Sequence, residues 1–480
     1  MNNRKVILSG SIWTSASTIT TAVVEMLRLS ILAHFVAKSD FGIVAILTMV
    51  LGFTNMFSEL GFSTVLLHKK EVTDKEFSSL YWAQFIVYSA IYAIVSACGF
   101  LIADFFNEPS ITHLLPIAML DLILYGVGRL YDTVLQKELK FDVLAKRNII
   151  SSIVSLVAAA VLAYKGFGVY SLILSTLIKT TILNVWNLVL GFRSMPLRPY
   201  LSLRLVKPMF TMGLNQTGSH ILDYISTKID VFIIGKMLGS EVLGVYNLAK
   251  ELIIKGTMFV NSIVNRVSFP LFAKKQNDKD ALRRNYCKLL GFISLLNFPI
   301  CTIVGTTGCL IVPVLYGDLY SDAIPIVYIL SLWGYFNCIA NPVGNIVVAT
   351  GRTDLSLKYT IIRFLCFIPL MSLLSIYNVY VLAWGSVLLY FIFTFVSWYM
   401  NIYITIQLKI KQFAASFMAP CIYSILLGGV GYILMNHLNQ NNANNLTILG
   451  AALLWCIIYL IIFAYIQKNS IKEIKKMILK

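Results

Sequence analysis

The chain has 480 residues, of which 58% are hydrophobic and 13% are charged. Soluble domains typically have about 45–50% apolar and about 25% charged residues, so this composition excludes an ordinary soluble enzyme. The net charge of +17 would suggest nucleic-acid binding in a soluble protein. Here the basic residues cluster in alternate connections between apolar segments, so we interpret them as an orientation signal and expect no nucleic-acid partner.

Fourteen apolar segments follow one another along the chain, and each is long enough to cross a bilayer as a helix. The runs do not alternate strictly between apolar and polar residues, which excludes a β-barrel. The sequence therefore predicts an all-α polytopic membrane protein with about 14 transmembrane helices. The predicted segments are 9–36, 41–66, 77–105, 111–136, 146–164, 167–192, 207–235, 241–268, 285–315, 322–350, 355–377, 379–406, 413–436 and 444–467.

Basic residues predict the orientation of these segments. One set of connections, counted with both termini, carries 28 Lys and Arg residues, whereas the alternate set carries only Lys38, Lys165 and Lys236. Because cytoplasmic connections are enriched in Lys and Arg, the N-terminus and the C-terminus are both predicted to be cytoplasmic.

An internal repeat with an offset near 202 aligns residues 35–43 with residues 237–245. Pro116 and Pro325 align at an offset of 209. The repeat predicts two parallel, pseudo-symmetric six-helix halves, an arrangement that favours a transporter alternating between inward-open and outward-open states. The predicted domains are residues 1–202, residues 203–406, and residues 407–480 with two additional helices and a basic tail.

Fifteen ionisable residues lie within the predicted spans, where each costs about 2.5–3.5 kcal/mol at a helix centre. Polar residues share one face of the first helix and one face of the seventh, and we expect the two faces to meet across a central cavity. The alternative is structural pairing at helical spacing, as for Glu25 with Arg28 or Glu251 with Lys255. The two faces consist of Thr14, Thr18, Thr21, Glu25 and Arg28, and of Asn215, Ser219, Asp223, Ser226 and Asp230.

Cations in such a cavity suit an anionic substrate group such as a phosphate or diphosphate. Carboxylates beside them could exchange protons or sodium ions. The expected substrate-binding residues are Arg28, Arg129, Lys179, Lys228 and Lys250. The expected coupling or cavity-lining residues are Glu25, Glu59, Asp121, Asn215, Asp223, Asp230 and Asn341.

Catalytic and nucleotide-binding motifs are absent from the sequence. There is no HExxH and no P-loop, and the glycine pairs at 126–128 and 166–168 lack the third glycine of a dinucleotide fingerprint. None of the eight cysteines forms a CxxC pair. We therefore expect a non-enzymatic protein with no cofactor, no metal site and no ATP-driven transport by this chain alone.

Five sequence strings, taken in their order and spacing, resemble the Wzx-type polysaccharide flippases of the multidrug/oligosaccharidyl-lipid/polysaccharide superfamily. The similarity covers most of the first 405 residues and is greatest to the branch that includes colanic-acid and teichuronic-acid exporters. The strings are LAHFVAKSDFG at 32–42, FSELGF at 57–62, LQKELKF at 135–141, IDVFIIGKMLGSEVLGVY at 229–246 and FPL at 269–271.

The resemblance implies a flippase of the bacterial inner membrane. Such proteins move undecaprenyl-diphosphate-linked oligosaccharide repeat units from the cytoplasmic to the outer leaflet, for capsule, O-antigen or exopolysaccharide synthesis. It further implies alternating access, possible H⁺ or Na⁺ coupling, and polymerase and chain-length partners in the membrane. Arg28 falls where related lipid II flippases carry a functional first-helix arginine. Their further arginines have no counterpart here, and Lys179, Arg129 or Lys250 are candidates to replace them.

Two alternatives stay open at this point. A multidrug exporter of the same superfamily would exchange a cationic drug for protons or sodium ions, but its cavity should be acidic and aromatic. The spans here hold eight basic and seven acidic residues, which favours an anionic substrate. A membrane polysaccharide ligase or polymerase typically has a large outward loop with functional residues, whereas every predicted outer connection is short.

Overall fold

The computed structural model describes residues 3–59, 62–69, 72–440 and 445–467. Within these ranges every regular element is a helix, which confirms the all-α prediction. The chain divides into two compact units, Met1–Gly244 and Val245–Lys480. The predicted boundary between sequence halves at residues 202 and 203 stays a prediction, as does the orientation of the termini.

The first unit is built on helix pairs that pack along most of their length. Helix α6 packs against α8, α7 packs against both α1 and α8, and α9 packs against α2. Buried aromatic rings join α4 to α6, with the Phe77 and Tyr131 centroids 5.1 Å apart. The helices are α1 (Asn3–Ala33), α2 (Lys38–Glu59), α3 (Phe62–His68), α4 (Asp74–Ala97), α5 (Gly99–Phe106), α6 (Ile111–Lys137), α7 (Phe141–Tyr164), α8 (Val169–Ser194) and α9 (Leu203–Met237).

Helix α10 (Gly239–Ala273) begins in the first unit and continues into the second. In the second unit α11 packs against α13 and α17, and α13 packs against α15. A 3₁₀ turn occupies Asp318–Tyr320 and a π-helical segment occupies Trp398–Tyr403. The remaining helices are α11 (Lys279–Thr306), α12 (Gly308–Tyr316), α13 (Ala323–Ala349), α14 (Thr353–Ser375), α15 (Val379–Ser397), α16 (Ile404–Ile406), α17 (Ile410–Gln440) and α18 (Asn445–Ile466).

The last two helices, predicted as an addition to the repeat, are anchored in the second unit by buried polar contacts. The Tyr459 hydroxyl on α18 lies 3.0 Å from Ser424 Oγ on α17 and 3.4 Å from Thr302 Oγ1 on α11. Trp455 Nε1 donates to Thr306 Oγ1 at 3.3 Å. These hydrogen bonds satisfy buried polar groups that lipid could not satisfy.

Two segments predicted as continuous helices are broken at residues that the structure describes. The segment 77–105 divides into α4 and α5 at Cys98, and the segment 285–315 divides into α11 and α12 at Thr307. A glycine follows each break, and glycine is a poor helix former. The two breaks lie 209 residues apart, which is the offset that also aligns Pro116 with Pro325.

Among the described residues, twelve helices are long and apolar enough to cross a membrane. They account for twelve of the fourteen predicted segments. The other two predicted segments correspond to α9 and α10, which have 35 residues each and are not among these twelve. The structure thus confirms a polytopic membrane protein, and the total of fourteen spans stays a prediction.

Two glycines bring the beginnings of α2 and α10 into backbone contact. A Cβ atom at Gly42 would lie 1.8 Å from the Ser240 carbonyl oxygen, and one at Gly244 would lie 2.0 Å from the Lys38 carbonyl oxygen. Only glycine permits this approach, because real Cβ atoms do not come so close to other heavy atoms. The contact is reciprocal, since the sequence repeat aligns Gly42 with Gly244 and Lys38 with Ser240.

We expect Gly42→Ala to destabilise the protein by about 1–3 kcal/mol, because the added methyl group must displace the Ser240 backbone. Gly429→Ala is the matched control, since Gly429 also lies within a helix and a Cβ there meets no atom within 4 Å. Thermal unfolding of the two purified variants in detergent measures the difference. Equal midpoints for both variants would contradict the close contact.

The predicted orientation is tested with reporter fusions. A fluorescent protein fused to the C-terminus should fluoresce, because its chromophore matures in the cytoplasm. Alkaline phosphatase inserted at Asn107, in the turn between α5 and α6, should be active because that turn is predicted to face outward. A C-terminal fusion that does not fluoresce, together with an inactive insertion at Asn107, would contradict the predicted orientation.

Candidate functional site

Three threonines on the predicted polar face of α1 satisfy their hydroxyl groups within the helix. Thr14, Thr18 and Thr21 each donate to the backbone carbonyl four residues earlier, at 2.6–2.8 Å. Such bonds let a hydroxyl group lie in an apolar environment without a partner on another helix. The other two members of the face, Glu25 and Arg28, have longer charged side chains and contact α8.

Glu25, Arg28 and Lys179 form a cluster between α1 and α8, which we name the first charge triad. Arg28 Nε donates to Glu25 Oε2 at 3.0 Å, and Lys179 Nζ donates to Glu25 Oε1 at 2.5 Å. One carboxylate therefore lies between two cations and offers one oxygen to each. The side chains of Arg28, Glu25 and Lys179 are 13%, 15% and 25% exposed.

Two hydroxyl groups on α8 hold the Arg28 guanidinium in place. Arg28 Nη1 donates to Ser175 Oγ at 3.0 Å and to Thr176 Oγ1 at 3.2 Å. Ser175 itself is buried and donates to the Leu172 carbonyl oxygen of its own helix. The guanidinium is thus oriented by α8 and by the Glu25 carboxylate together.

Asp121 on α6 lies beside the first charge triad. Its carboxylate interacts with Lys179 and accepts a hydrogen bond from Thr180. The Oδ1 atom of Asp121 is buried and has no hydrogen-bond partner among the described residues. A buried carboxylate oxygen of this kind is suited to accept a proton or a cation. The structure therefore brings together four of the predicted site residues, Glu25, Arg28, Asp121 and Lys179.

A second cluster, which we name the second charge triad, consists of Arg129, Asp132 and Arg147. Arg147 Nη1 donates to Asp132 Oδ1 at 2.9 Å, and Arg129 Nη1 lies 3.5 Å from Asp132 Oδ2. The Arg129 guanidinium also lies 5.4 Å from the ring centroid of Tyr125, at cation–π distance. Arg129, predicted as a substrate-binding residue, is therefore part of a charged network between α6 and α7.

Arg147 is the residue that sequence reasoning missed. It is the second residue of the predicted segment 146–164 and one of the 28 basic residues assigned to the cytoplasmic side, but it lies within α7 and is only 7% exposed. A signal for its burial is present in the sequence, because Ser151 and Ser155 follow it at intervals of four residues and are also buried. Moving Arg147 out of the cytoplasmic set does not alter the orientation argument, since 27 basic residues remain there against three.

The predicted residues on α9 have different surroundings. Asp223 is exposed, Lys228 is half-buried, and Asp230 is 8% exposed and accepts the Val231 backbone N–H at 2.9 Å. Helix α9 itself packs on α2, where the Tyr224 hydroxyl donates to the Met49 carbonyl oxygen at 3.0 Å.

The side chains of Glu59 and Asn215 lie outside the part of the chain that the structure describes. The expected meeting of the α1 and α9 polar faces across a cavity stays a prediction. Among the described residues, no group of three His, Cys, Asp or Glu side chains is placed to hold a metal ion.

In the second unit, amide side chains join α10 to its neighbours. Asn297 Nδ2 donates to Asn261 Oδ1 at 3.0 Å, and Asn345 Nδ2 donates to Asn265 Oδ1 at 3.0 Å. The Oδ1 atom of Asn341, a predicted cavity-lining residue, is buried without a hydrogen-bond partner among the described residues. These amide hydrogen bonds join α10 to α11 and to α13.

Lys250, also predicted to bind substrate, is 7% exposed in the second unit. Its Nζ atom lies 5.1 Å from the ring centroid of Trp333, at cation–π distance. On the same helix Lys255 pairs with Glu251 at 3.7 Å, as the helical spacing predicts. The Glu25–Arg28 pair forms as well, so structural pairing and a possible binding role involve the same residues.

Chemically, the first charge triad is suited to bind an anion at membrane depth. Arg28 offers a planar fork of N–H donors and Lys179 offers a flexible point charge. Both already bind one carboxylate, so a phosphate group with more anionic oxygens has the chemistry to replace it. Charged residues within membrane-spanning helices commonly mark substrate or ion pathways.

Comparison with known proteins gives a family and several relatives for this chain. The polysaccharide biosynthesis protein family matches residues 31–325. The teichuronic acid biosynthesis protein TuaB of Bacillus subtilis (strain 168) is 24% identical over 470 residues, covering 97% of each chain. The lipopolysaccharide biosynthesis protein WzxC of Escherichia coli (strain K12) is 26% identical over 372 residues, covering 77% of this chain and 75% of that protein.

A solved structure shares the fold. The lipid II flippase MurJ, in an inward closed conformation, superposes with a TM-score of 0.71 at 15% identity, covering 97% of this chain and 100% of that one. The family match extends over more than half of the chain and includes Lys179 of the first charge triad, whereas Glu25 and Arg28 precede it. The chain therefore belongs to the polysaccharide biosynthesis protein family, as a multi-pass membrane protein.

Proposed function

We propose that this protein is a flippase for undecaprenyl-diphosphate-linked oligosaccharide repeat units. It moves them from the cytoplasmic to the outer leaflet by alternating access, and so serves capsule, O-antigen or exopolysaccharide synthesis. The observation that carries the proposal is the first charge triad, in which Arg28 and Lys179 share the Glu25 carboxylate inside a membrane-spanning bundle. Relatives named for polysaccharide biosynthesis support the class of substrate.

The diphosphate is the part of the substrate that most needs such a site. A diphosphate cannot enter hydrocarbon alone, because transferring an unpaired anion out of water costs many kcal/mol. Arg28 and Lys179 replace the lost hydration with charge-assisted hydrogen bonds. Arg129, Lys228 and Lys250 are further proposed contacts for the phosphates or sugars along the path.

Carboxylates beside these cations have a second proposed role. Asp121 interacts with Lys179 and has a buried oxygen, so protonation or sodium binding at Asp121 would change the charge beside the diphosphate. Glu25, Glu59, Asp223 and Asp230 are proposed to contribute to this coupling or to line the cavity with Asn215 and Asn341. A polymerase and a chain-length protein would take the product at the outer leaflet.

Lys179→Ala is expected to lower the export of polysaccharide at least tenfold, because the triad loses one of its two cations. Lys255→Ala is the matched control, since Lys255 is 24% exposed against 25% for Lys179 and also pairs with a glutamate. Surface polysaccharide and membrane levels of each variant are measured in the same host. Similar export by the two variants at similar expression would remove Lys179 from the proposed site.

Arg28→Ala and Arg28→Lys separate charge from geometry. We expect the alanine variant to lose export and the lysine variant to retain part of it, because lysine keeps the charge but loses the guanidinium fork. Removing one partner of a buried ion pair costs about 3–5 kcal/mol, so protein levels must be measured alongside export. Normal export by Arg28→Ala would rule out a binding role for Arg28.

Deletion in the native host tests the function itself. We expect single lipid-linked repeat units to accumulate on the cytoplasmic leaflet, because assembly continues while translocation stops. The lipid fraction is analysed together with drug susceptibility. Unchanged surface polysaccharide with increased drug sensitivity would indicate a multidrug exporter instead, whereas accumulation of translocated but unpolymerised units would indicate a polymerase.

A further inference from the structure

The second charge triad repeats the design of the first. In each triad one carboxylate lies between two cations and gives one oxygen to each of them. We propose that Arg129, Asp132 and Arg147 form a second anion-binding site, which takes the phosphate or diphosphate group of a lipid at a different membrane depth. This inference rests on the proposed flippase function and adds a second binding site to the path of the lipid.

The parallel between the triads extends to individual atoms. In the first, Glu25 Oε2 contacts Arg28 and Oε1 contacts Lys179, at 3.0 and 2.5 Å. In the second, Asp132 Oδ1 contacts Arg147 at 2.9 Å, and Oδ2 lies 3.5 Å from Arg129 and also accepts from Gln136 Nε2 at 2.7 Å. The carboxylate thus occupies, in both triads, the place where two oxygens of a phosphate could bind two cations.

The two arginines of the second charge triad differ in exposure. The Arg147 side chain is 8% exposed and donates to Asn187 Oδ1 on α8 and to Asn148 Oδ1 on its own helix, besides Asp132. The Arg129 side chain is 24% exposed, and its contact with Asp132 is the longer of the two. Arg147 is therefore the anchored member of the triad, and Arg129 is the member that an incoming anion can reach first.

Stability alone does not account for a cluster of this kind. Buried ion pairs contribute little net stability, because the cost of removing the charges from water offsets their attraction. Three ionised side chains within membrane helices indicate a functional site by default. Two guanidinium groups around one carboxylate match the bidentate recognition that Arg provides for phosphate.

The two triads lie at different levels along α6 and α8, as residues in or beside each triad show. On α6, Asp121 beside the first triad and Asp132 in the second are 11 residues apart, which is about 16 Å at 1.5 Å per residue. On α8, Lys179 and Asn187 are eight residues apart, or about 12 Å. The separation is about half of a hydrocarbon core of about 30 Å.

The second triad lies towards the predicted cytoplasmic end of α6, which ends at Lys137. Tyr125 lies between the two levels, four residues from both Asp121 and Arg129 on one face of α6. A lipid diphosphate leaving the cytoplasmic leaflet would therefore meet Arg129 first and Lys179 and Arg28 later. Two binding sites divide the crossing into two shorter steps. In each site the carboxylate pairs with its two cations again after the anion leaves.

The test measures binding of farnesyl diphosphate to the full-length protein in lipid nanodiscs, with farnesol as the uncharged control probe. Arg129→Gln should weaken binding about tenfold, and Asp132→Asn should strengthen it about tenfold, because the competing carboxylate is gone. Arg283→Gln is the matched control. Arg283 pairs with Asp280 at a spacing of three residues and is 28% exposed, so it resembles Arg129 without belonging to either triad.

Stronger binding by Asp132→Asn is the decisive result, because a purely structural role for Asp132 would weaken binding or leave it unchanged. If Asp132→Asn does not fold, Arg129→Lys should restore part of the affinity that Arg129→Gln loses. If the Arg129 and Asp132 variants bind with the same affinity as Arg283→Gln, the proposed second binding site is overturned. The proposed flippase function is not affected by that result. Failure of the wild-type protein to bind farnesyl diphosphate at all would overturn the proposed function as well.

Discussion

The cost of placing a charge in hydrocarbon is the constraint that organises the first unit. Each ionised side chain in the described membrane helices must find partners inside the bundle, because lipid provides none. Glu25, Arg28 and Lys179 join α1 to α8, and Asp132 joins α6 to Arg147 on α7. These contacts pair the charges inside the membrane bundle. They also place two cations around one carboxylate in each triad.

Under the proposed function, this arrangement links charge pairing in the empty protein to the binding of substrate. A carboxylate held between two cations pairs their charges while the site is empty, and in the proposed function a phosphate replaces it without leaving either cation unpaired. Both cations of the triad therefore stay paired when an anion binds. The reciprocal contact of Gly42 and Gly244 adds a rigid backbone approach at the beginnings of α2 and α10, where the two copies of the sequence repeat touch.

Much of this could be predicted from the sequence. Apolar run length predicts the helices, and helical spacing places Glu25 and Arg28 on one face of α1. Periodicity does not predict which other helix faces the polar side of α1. The contact of Glu25 with Lys179, 154 residues later in the chain, is therefore seen only in the structure. Arg147 was missed because a cation near a helix end is usually a cytoplasmic anchor, whereas here Asp132 and Asn187 bury it. Hydropathy does not predict the breaks at Cys98 and Thr307, because the residues on both sides of each break are apolar.

The most direct measurement compares two lipids that differ only in charge. The purified protein is reconstituted in vesicles with a fluorescent oligosaccharide linked either to undecaprenyl diphosphate or to uncharged undecaprenol, and transbilayer movement is followed by quenching from outside. If the paired cations bind the diphosphate, the protein should accelerate movement of the diphosphate-linked oligosaccharide at least tenfold more than that of the uncharged one. Equal acceleration of the two lipids would contradict an anion-binding role for the charge triads.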